Sequence, residues 1–202
     1  MLQVLGLWGS PRWGGNSELL LDKALAGAQS QGAVVEKIVL NDLDIRPCQH
    51  CDGCLHTGLC IVDDDMQPLH HKLIAADRLI LSAPIFFMGL PAQAKVAVDR
   101  CQALWVTKYL LKRRHPYAKD GSRRRGLWLG VGGRTGPNRF DASRATVQAF
   151  FATCDVTYED ELLYPGVDAY QEILKHPTAL EEAYAAGRRF GAEISPSQPP
   201  KD

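Results

Sequence analysis

The sequence predicts an α/β fold in which a five-stranded parallel sheet carries helices on both faces. Two observations lead there. Short apolar runs alternate five times with stretches whose apolar residues recur at helical spacing, and parallel strands need crossovers of this kind, which then cover the sheet. The chain has 202 residues, 46% hydrophobic and 23% charged, the size and composition of one globular domain with a core. Neither a multidomain assembly nor a disordered chain nor a fibrous repeat is expected on the same grounds.

The first strand is the run Val4 to Trp8, stopped by Gly9-Ser10-Pro11. Asn16-Ser17 opens the first helix, with Leu20, Leu21, Ala24, Leu25 and Ala28 on its buried face. Val34 to Leu40 is the second strand, followed by a cysteine loop over 46–62. Asp63-Asp64-Asp65 offers capping oxygens to a helix from Met66 to Ala76. Leu79 to Ala83 is the third strand, and Pro91 suits the first turn of a helix reaching about Trp105. Gly126 to Val131 is the fourth strand, Phe140 to Thr153 a helix, Val156 to Leu163 the fifth strand and Thr178 to Ile194 the last helix. Residues 1–194 therefore form a single domain, and 195–202 (SPSQPPKD) read as a disordered tail.

Lysine plus arginine (23) balances aspartate plus glutamate (23), so nothing global favours nucleic acid or a membrane surface as partner. Met1 to Trp8 has no basic lead-in and no long apolar segment, so no signal peptide is expected. The uncharged stretch Leu79 to Ala92 is too short to span a bilayer and is broken by Pro84 and Pro91. The expectation is a cytoplasmic protein. Four of the six cysteines crowd into thirteen residues, which in a chain without an export signal points to metal or redox chemistry.

In an open parallel sheet, ligands lie beyond the carboxyl ends of the strands. The first such loop, Gly9-Ser10-Pro11-Arg12-Trp13-Gly14-Gly15-Asn16-Ser17, combines hydroxyls, a guanidinium and small residues at a helix N-terminus, a set that neutralises a phosphate dianion. A tight turn with an N-cap would use Ser and Gly but has no need of Arg12. The loop matches neither G-x-G-x-x-G nor G-x-x-x-x-G-K-[ST], which weakens a dinucleotide fold or an ATPase. Ser82-Ala83-Pro84-Ile85-Phe86-Phe87-Met88-Gly89 leaves the third strand with aromatics able to flank a flat ring, and Gly132-Gly133-Arg134-Thr135-Gly136 brings bare backbone to the same rim. Phe86 and Phe87, taken alone, read more often as core than as a cofactor wall.

Together, G-S-x-R-x-x-G-N-S, S-x-P-x-x-F-x-G and the later Asp99-Arg100-Cys101 resemble the flavodoxin-like NAD(P)H-dependent FMN reductases over residues 2 to 165. The resemblance implies a three-layer sandwich with strand order 2-1-3-4-5. It implies FMN bound by Ser10, Arg12, Asn16 and Ser17 at the phosphate, with its ring along Pro84, Ile85, Phe86, Phe87, Met88 and Gly89 and along Gly132 and Gly133. Many relatives have tyrosine where this chain has Phe86, a change that removes a hydroxyl and keeps the ring.

Cys48-x2-Cys51-x2-Cys54-x5-Cys60 is a compact set of four thiols. Three readings stand for it: a cubane cluster held at its corners, a zinc site, or empty or disulfide-linked structural thiols. The loop also resembles that of the iron–sulfur flavoproteins, a branch of the same group. That resemblance implies a [4Fe-4S] cluster on Cys48, Cys51, Cys54 and Cys60, exchanging single electrons with FMN, in a homodimer or homotetramer.

Other features have plainer readings. Adjacent His70 and His71 point about 100° apart on a helix and do not share an ion; they read as partly exposed surface residues. His50 and His56 are solvated loop residues or tune a cluster by hydrogen bonding, and Cys101 and Cys154 are small core residues. The segment Lys108 to Arg125 holds eight basic residues and one acid, Asp120. It either steers NAD(P)H or an acidic carrier such as a ferredoxin, or is an ordinary solvated loop.

The function expected is an FMN-dependent oxidoreductase passing electrons between FMN, the cluster and an external donor or acceptor, with no catalytic side chain assigned. The alternatives are an NAD(P)H-dependent FMN or quinone reductase without a cluster, and a non-catalytic electron carrier or redox sensor. Partners would be a small-molecule redox substrate or a ferredoxin-like carrier.

Overall fold

A computed structural model describes residues 1–115, 118 and 123–193. The expected tail 195–202, the end of the last helix at Ile194 and the centre of the basic segment lie outside the described residues. The strands are β1 (Gln3–Trp8), β2 (Val34–Val39), β3 (Arg78–Pro84), β4 (Arg125–Gly132) and β5 (Thr157–Pro165). They pair in parallel in the order β2-β1-β3-β4-β5. The helices are α1 (Asn16–Gln29), α2 (Met66–Ala75), α3 (Ala92–Arg100), α4 (Gln102–Trp105), α5 (Asp141–Thr153) and α6 (Ala179–Gly191).

Buried on both faces, the central strands are almost continuously apolar, as parallel strands under helices must be. Val4, Trp8, Ile80, Leu127 and Leu129 pack under α1 and α6. Leu5, Leu7, Leu79, Leu81 and Trp128 face α2, α3 and α5. On the first side the helix backbones nearly touch: a Cβ on Gly187 would collide with the Ala24 carbonyl, and one on Gly27 with the Tyr184 carbonyl.

The single helix expected from Pro91 to Trp105 is not continuous. The chain leaves helical geometry at Cys101 (φ −70°, ψ 3°), resumes in α4, and widens into a π turn over Val106–Leu110. Thr107 explains the widening, since its Oγ1 lies 3.0 Å from Ala103 O and 3.1 Å from Gly58 O. A hydroxyl reaching the carbonyl one turn back bends a helix, and here the same hydroxyl also meets the cysteine loop.

Candidate functional site

Because all five strands are parallel, the loops after β1, β3 and β4 leave the same edge of the sheet. Gly9 carries the chain off β1, donating its N–H to Ser82 O at 2.8 Å; a Cβ there would stand 2.8 Å from that of Ala94. Gly15 caps α1 with backbone alone, so the first-turn N–H groups of Asn16 and Ser17 start the helix without intrahelical partners, at the positive end of its dipole. Ser10 is buried and its Oγ accepts the Arg12 N–H at 3.2 Å. Ser17 Oγ accepts Trp8 Nε1–H at 3.2 Å. The one carboxylate of this turn, Glu18, accepts the Gly14 N–H at 2.6 Å and is neutralised by Lys37 at 2.7 Å.

Two members of the loop are held from a distance that the sequence reading did not reach. Arg12 places its guanidinium over the Tyr170 ring, 4.8 Å from the centroid, a cation–π contact that holds a long side chain in place. Asn16 spends its carboxamide on the segment after β5: Nδ2 donates to Ala169 O at 2.9 Å and Oδ1 accepts the Ile173 N–H at 3.1 Å. The carboxamide is thereby committed, and the main-chain N–H of Asn16 stands at the start of α1.

After β3, Phe86 and Gly89 exchange both main-chain hydrogen bonds (3.0 and 2.9 Å), closing a two-residue turn. Phe87 and Met88 sit at its tip with φ of 48° and 68°, a left-handed pair that costs backbone energy for residues other than glycine. The turn is pinned where Ser143 Oγ donates to Met88 O at 3.1 Å and Ile85 N to Val131 O at 2.8 Å.

Beside it lies a cavity of about 370 Å³, walled by Ile85, Phe87, Met88, Gly132, Gly133, Arg134, Arg139 and Phe140. Its size and apolar walls suit a planar ligand. A Cβ on Gly133 would come 2.8 Å from Asp168, so bare backbone is needed on that wall. Pro84, Phe86 and Gly89 belong to the strand end and the turn and do not line the cavity. Phe86 therefore contributes main-chain bonds, with its ring about half exposed. Arg139 and Phe140 carried no local sequence signal and enter the wall only because α5 starts there.

The four loop thiols are all free, and Cys48, Cys51, Cys54 and Cys60 line one cavity. Its floor is Arg100, Gln102 and Ala103, at the junction of α3 and α4. The loop leaves β2 at the ligand edge, as expected, yet its thiols settle against that junction and share no wall residue with the flavin-sized cavity. His50 and Asp52 take left-handed φ of 50° and 58°, which coils the chain between the first cysteines. Burial raises the Cys54 thiol above its usual range, a main-chain hydrogen bond opposes this, and the neighbouring Cys60, Cys48 and Cys51 add to it. Among the described residues no three His, Cys, Asp or Glu side chains converge on a single ion position. A cubane is gripped at four corners rather than one centre, so four thiols spaced round one cavity fit it better than they fit zinc.

Asp64 and Arg100 fasten this loop, and only the capping half of that arrangement was foreseen. Asp64 Oδ1 accepts the Met66 N–H at 3.1 Å at the start of α2, while both its oxygens take the buried Arg100 guanidinium at 2.6 and 3.0 Å. Burial pushes the Asp64 carboxyl up, but Arg100 and two main-chain N–H groups outweigh it and hold the group below its usual range. His70 was expected at the surface and is instead buried, its Nε2 3.0 Å from Arg100 O. A carbonyl only accepts, so that nitrogen carries the hydrogen; burial drives the imidazole down to about 4.

Of the described basic residues in the segment, Lys112, Arg113, Arg114 and Arg123 are exposed, while the others are tied down. Arg124 is buried and donates to the carbonyls of Ala76, Cys154 and Leu73, Arg125 pairs with Glu159, and Lys108 with Asp155. Cys101 and Cys154 are core residues, as expected.

A parallel 2-1-3-4-5 sheet with a turn after β1 that leads straight into a helix N-terminus and an apolar cavity at the next strand ends defines a flavodoxin-like protein. Residues 2–148 match the family described as NADPH-dependent FMN reductase, and the chain belongs to that family. It is 33% identical over 111 residues to an iron-sulfur flavoprotein of Methanosarcina thermophila, covering 55% of this chain and 58% of that one. A second iron-sulfur flavoprotein, from Methanocaldococcus jannaschii, is 38% identical over 103 residues, 51% of this chain and 53% of the other. The chain thus spans little more than half the length of these relatives. The solved NAD(P)H:quinone oxidoreductase from Methanothermobacter marburgensis superposes with a TM-score of 0.67 at 20% identity, covering 96% of this chain and 98% of that one; at that identity the likeness is one of fold. Among the described residues no helix is long and apolar enough to cross a membrane.

Proposed function

We propose that this chain is an FMN-dependent oxidoreductase of the iron–sulfur flavoprotein type, accepting electrons from NAD(P)H or a ferredoxin-like carrier. The observation that carries the reading is the gathering of four free thiols round one cavity in a chain of FMN reductase descent. The FMN phosphate is received by Ser10, Arg12, Ser17 and the N–H groups that begin α1, and the ring lies against Ile85, Phe87, Met88, Gly132 and Gly133. Cys48, Cys51, Cys54 and Cys60 hold a [4Fe-4S] cluster. When bound, FMN supplies two-electron chemistry and the cluster one-electron chemistry; the chain supplies position, charge and exclusion of water. Arg12 offsets the phosphate charge, the left-handed Phe87–Met88 turn keeps the ring wall rigid, and Gly133 lets backbone approach.

The thiol cavity and the flavin-sized cavity have separate walls within one chain, and Leu59, Ile61, Trp105, Tyr109 and Leu110 are exposed near the former. These support a homodimer or homotetramer in which a second copy covers the cysteine loop. The alternative of an FMN or quinone reductase without a cluster draws on the family match, whose description names FMN and no cluster.

Anaerobic reduction with NADPH or NADH, followed by C51A under the same conditions, separates the readings. Wild-type protein carries flavin and iron and both bleach, whereas C51A keeps FMN and its bleaching but holds no iron. Equal loss of FMN in C51A would make the loop a structural support of the flavin site, and flavin that no nicotinamide bleaches would leave a carrier in place of a nicotinamide-linked enzyme.

A further inference from the structure

Arg100 is an unusual residue to find beneath a ring of thiols. It is 2% exposed, carries a permanent charge, and places Nη2 3.3 Å from Cys60 Sγ. The same guanidinium donates to Arg46 O at 2.7 Å and to both oxygens of Asp64. It therefore clamps the two ends of the cysteine loop and at the same time aims one N–H at a sulfur. Its Nε is buried with no hydrogen-bond partner among the described residues. A clamp alone would be served by the Asp64 pair and the Arg46 carbonyl; the bond to sulfur is additional.

We propose that Arg100 sets the reduction potential of the cluster through its hydrogen bond to Cys60, with Asp64 as the counter-charge that fixes its direction. This rests on the cluster reading above. Hydrogen bonds to cysteinyl sulfur and local charge are the protein's main means of tuning such a centre. Reduction adds one negative charge, so a cationic donor at a ligand sulfur favours the reduced form and raises the potential. Burial keeps solvent and salt from screening the effect. Asp64 opposes it in sign while holding the guanidinium in place.

The test is a spectroelectrochemical titration of reconstituted wild-type, R100Q and D64N proteins, with the flavin potential read in the same sample. R100Q is expected to shift the cluster to a lower potential and D64N to a higher one. The flavin potential stays put in both, because the two cavities share no wall residue. A merely structural role would not produce shifts of opposite sign confined to the cluster. An R100Q cluster potential equal to that of the wild type, or shifts of the same sign in both variants, would overturn the proposal. Should R100Q fail to fold, D64N decides: a potential that does not rise overturns it. A wild-type protein that takes up no iron at all is a different failure, that of the cluster reading itself.

Discussion

Asn16 binds Ile173 across 157 residues of sequence, accepting its N–H at 3.1 Å while its own Nδ2 donates to Ala169 O. The first turn of α1 and the segment after β5 are thereby one structure, and that segment also presents Tyr170 to Arg12. N16A strands the buried Ile173 N–H and is expected to cost about 1–3 kcal/mol of stability, with weaker FMN binding as Tyr170 loosens. Urea denaturation and flavin fluorescence quenching check the two effects; unchanged stability would show that the carboxamide is not the tie.

Arg12 is expected to act on the phosphate alone. A charge-assisted hydrogen bond to an anion contributes about 1.5–3 kcal/mol, so R12A should weaken FMN binding roughly 10- to 100-fold. Riboflavin, which lacks the phosphate, should bind wild type and R12A equally. A parallel loss for riboflavin would mean that Arg12 supports the ring site instead.

Much of this was legible in the sequence. The five apolar runs fall on the five strands within a residue or two, and Ser10, Arg12, Ile85, Phe87, Met88, Gly132 and Gly133 lie along the carboxyl ends of the strands, with Ser17 in the first turn of α1. The parts that were not legible depend on residues far apart in the chain. Tyr170 and Asp168 have no pattern of their own and matter only because β5 returns them beside β1 and β4. Arg100 read as the middle of a short motif, and its pairing with Asp64 and Cys60 arises from α3 crossing the cysteine loop. His70 read as a surface residue because helical spacing alone does not show that α3 covers that face.

His70 makes stability depend on pH. Its ordinary value is 6.5, and burial lowers it to about 4 in the folded chain. Between these values the unfolded chain binds the extra proton, so the stability is fully present above about 6.5 and is lost as pH falls toward 4. The span corresponds to about 3 kcal/mol. H70Q keeps a donor for Arg100 O and is expected to flatten this part of the profile in urea titrations from pH 7 to pH 4.5. A wild-type curve that H70Q leaves unchanged would place the titrating group elsewhere.

The most direct test of the account is the content of FMN, iron and acid-labile sulfide per chain in protein purified and reconstituted without oxygen. About one FMN with about four irons and four sulfides is predicted, one cubane for the four thiolates of Cys48, Cys51, Cys54 and Cys60. One FMN with no iron would contradict the cluster and leave a simple flavin reductase, and no FMN at all would contradict the reading of the turn after β1.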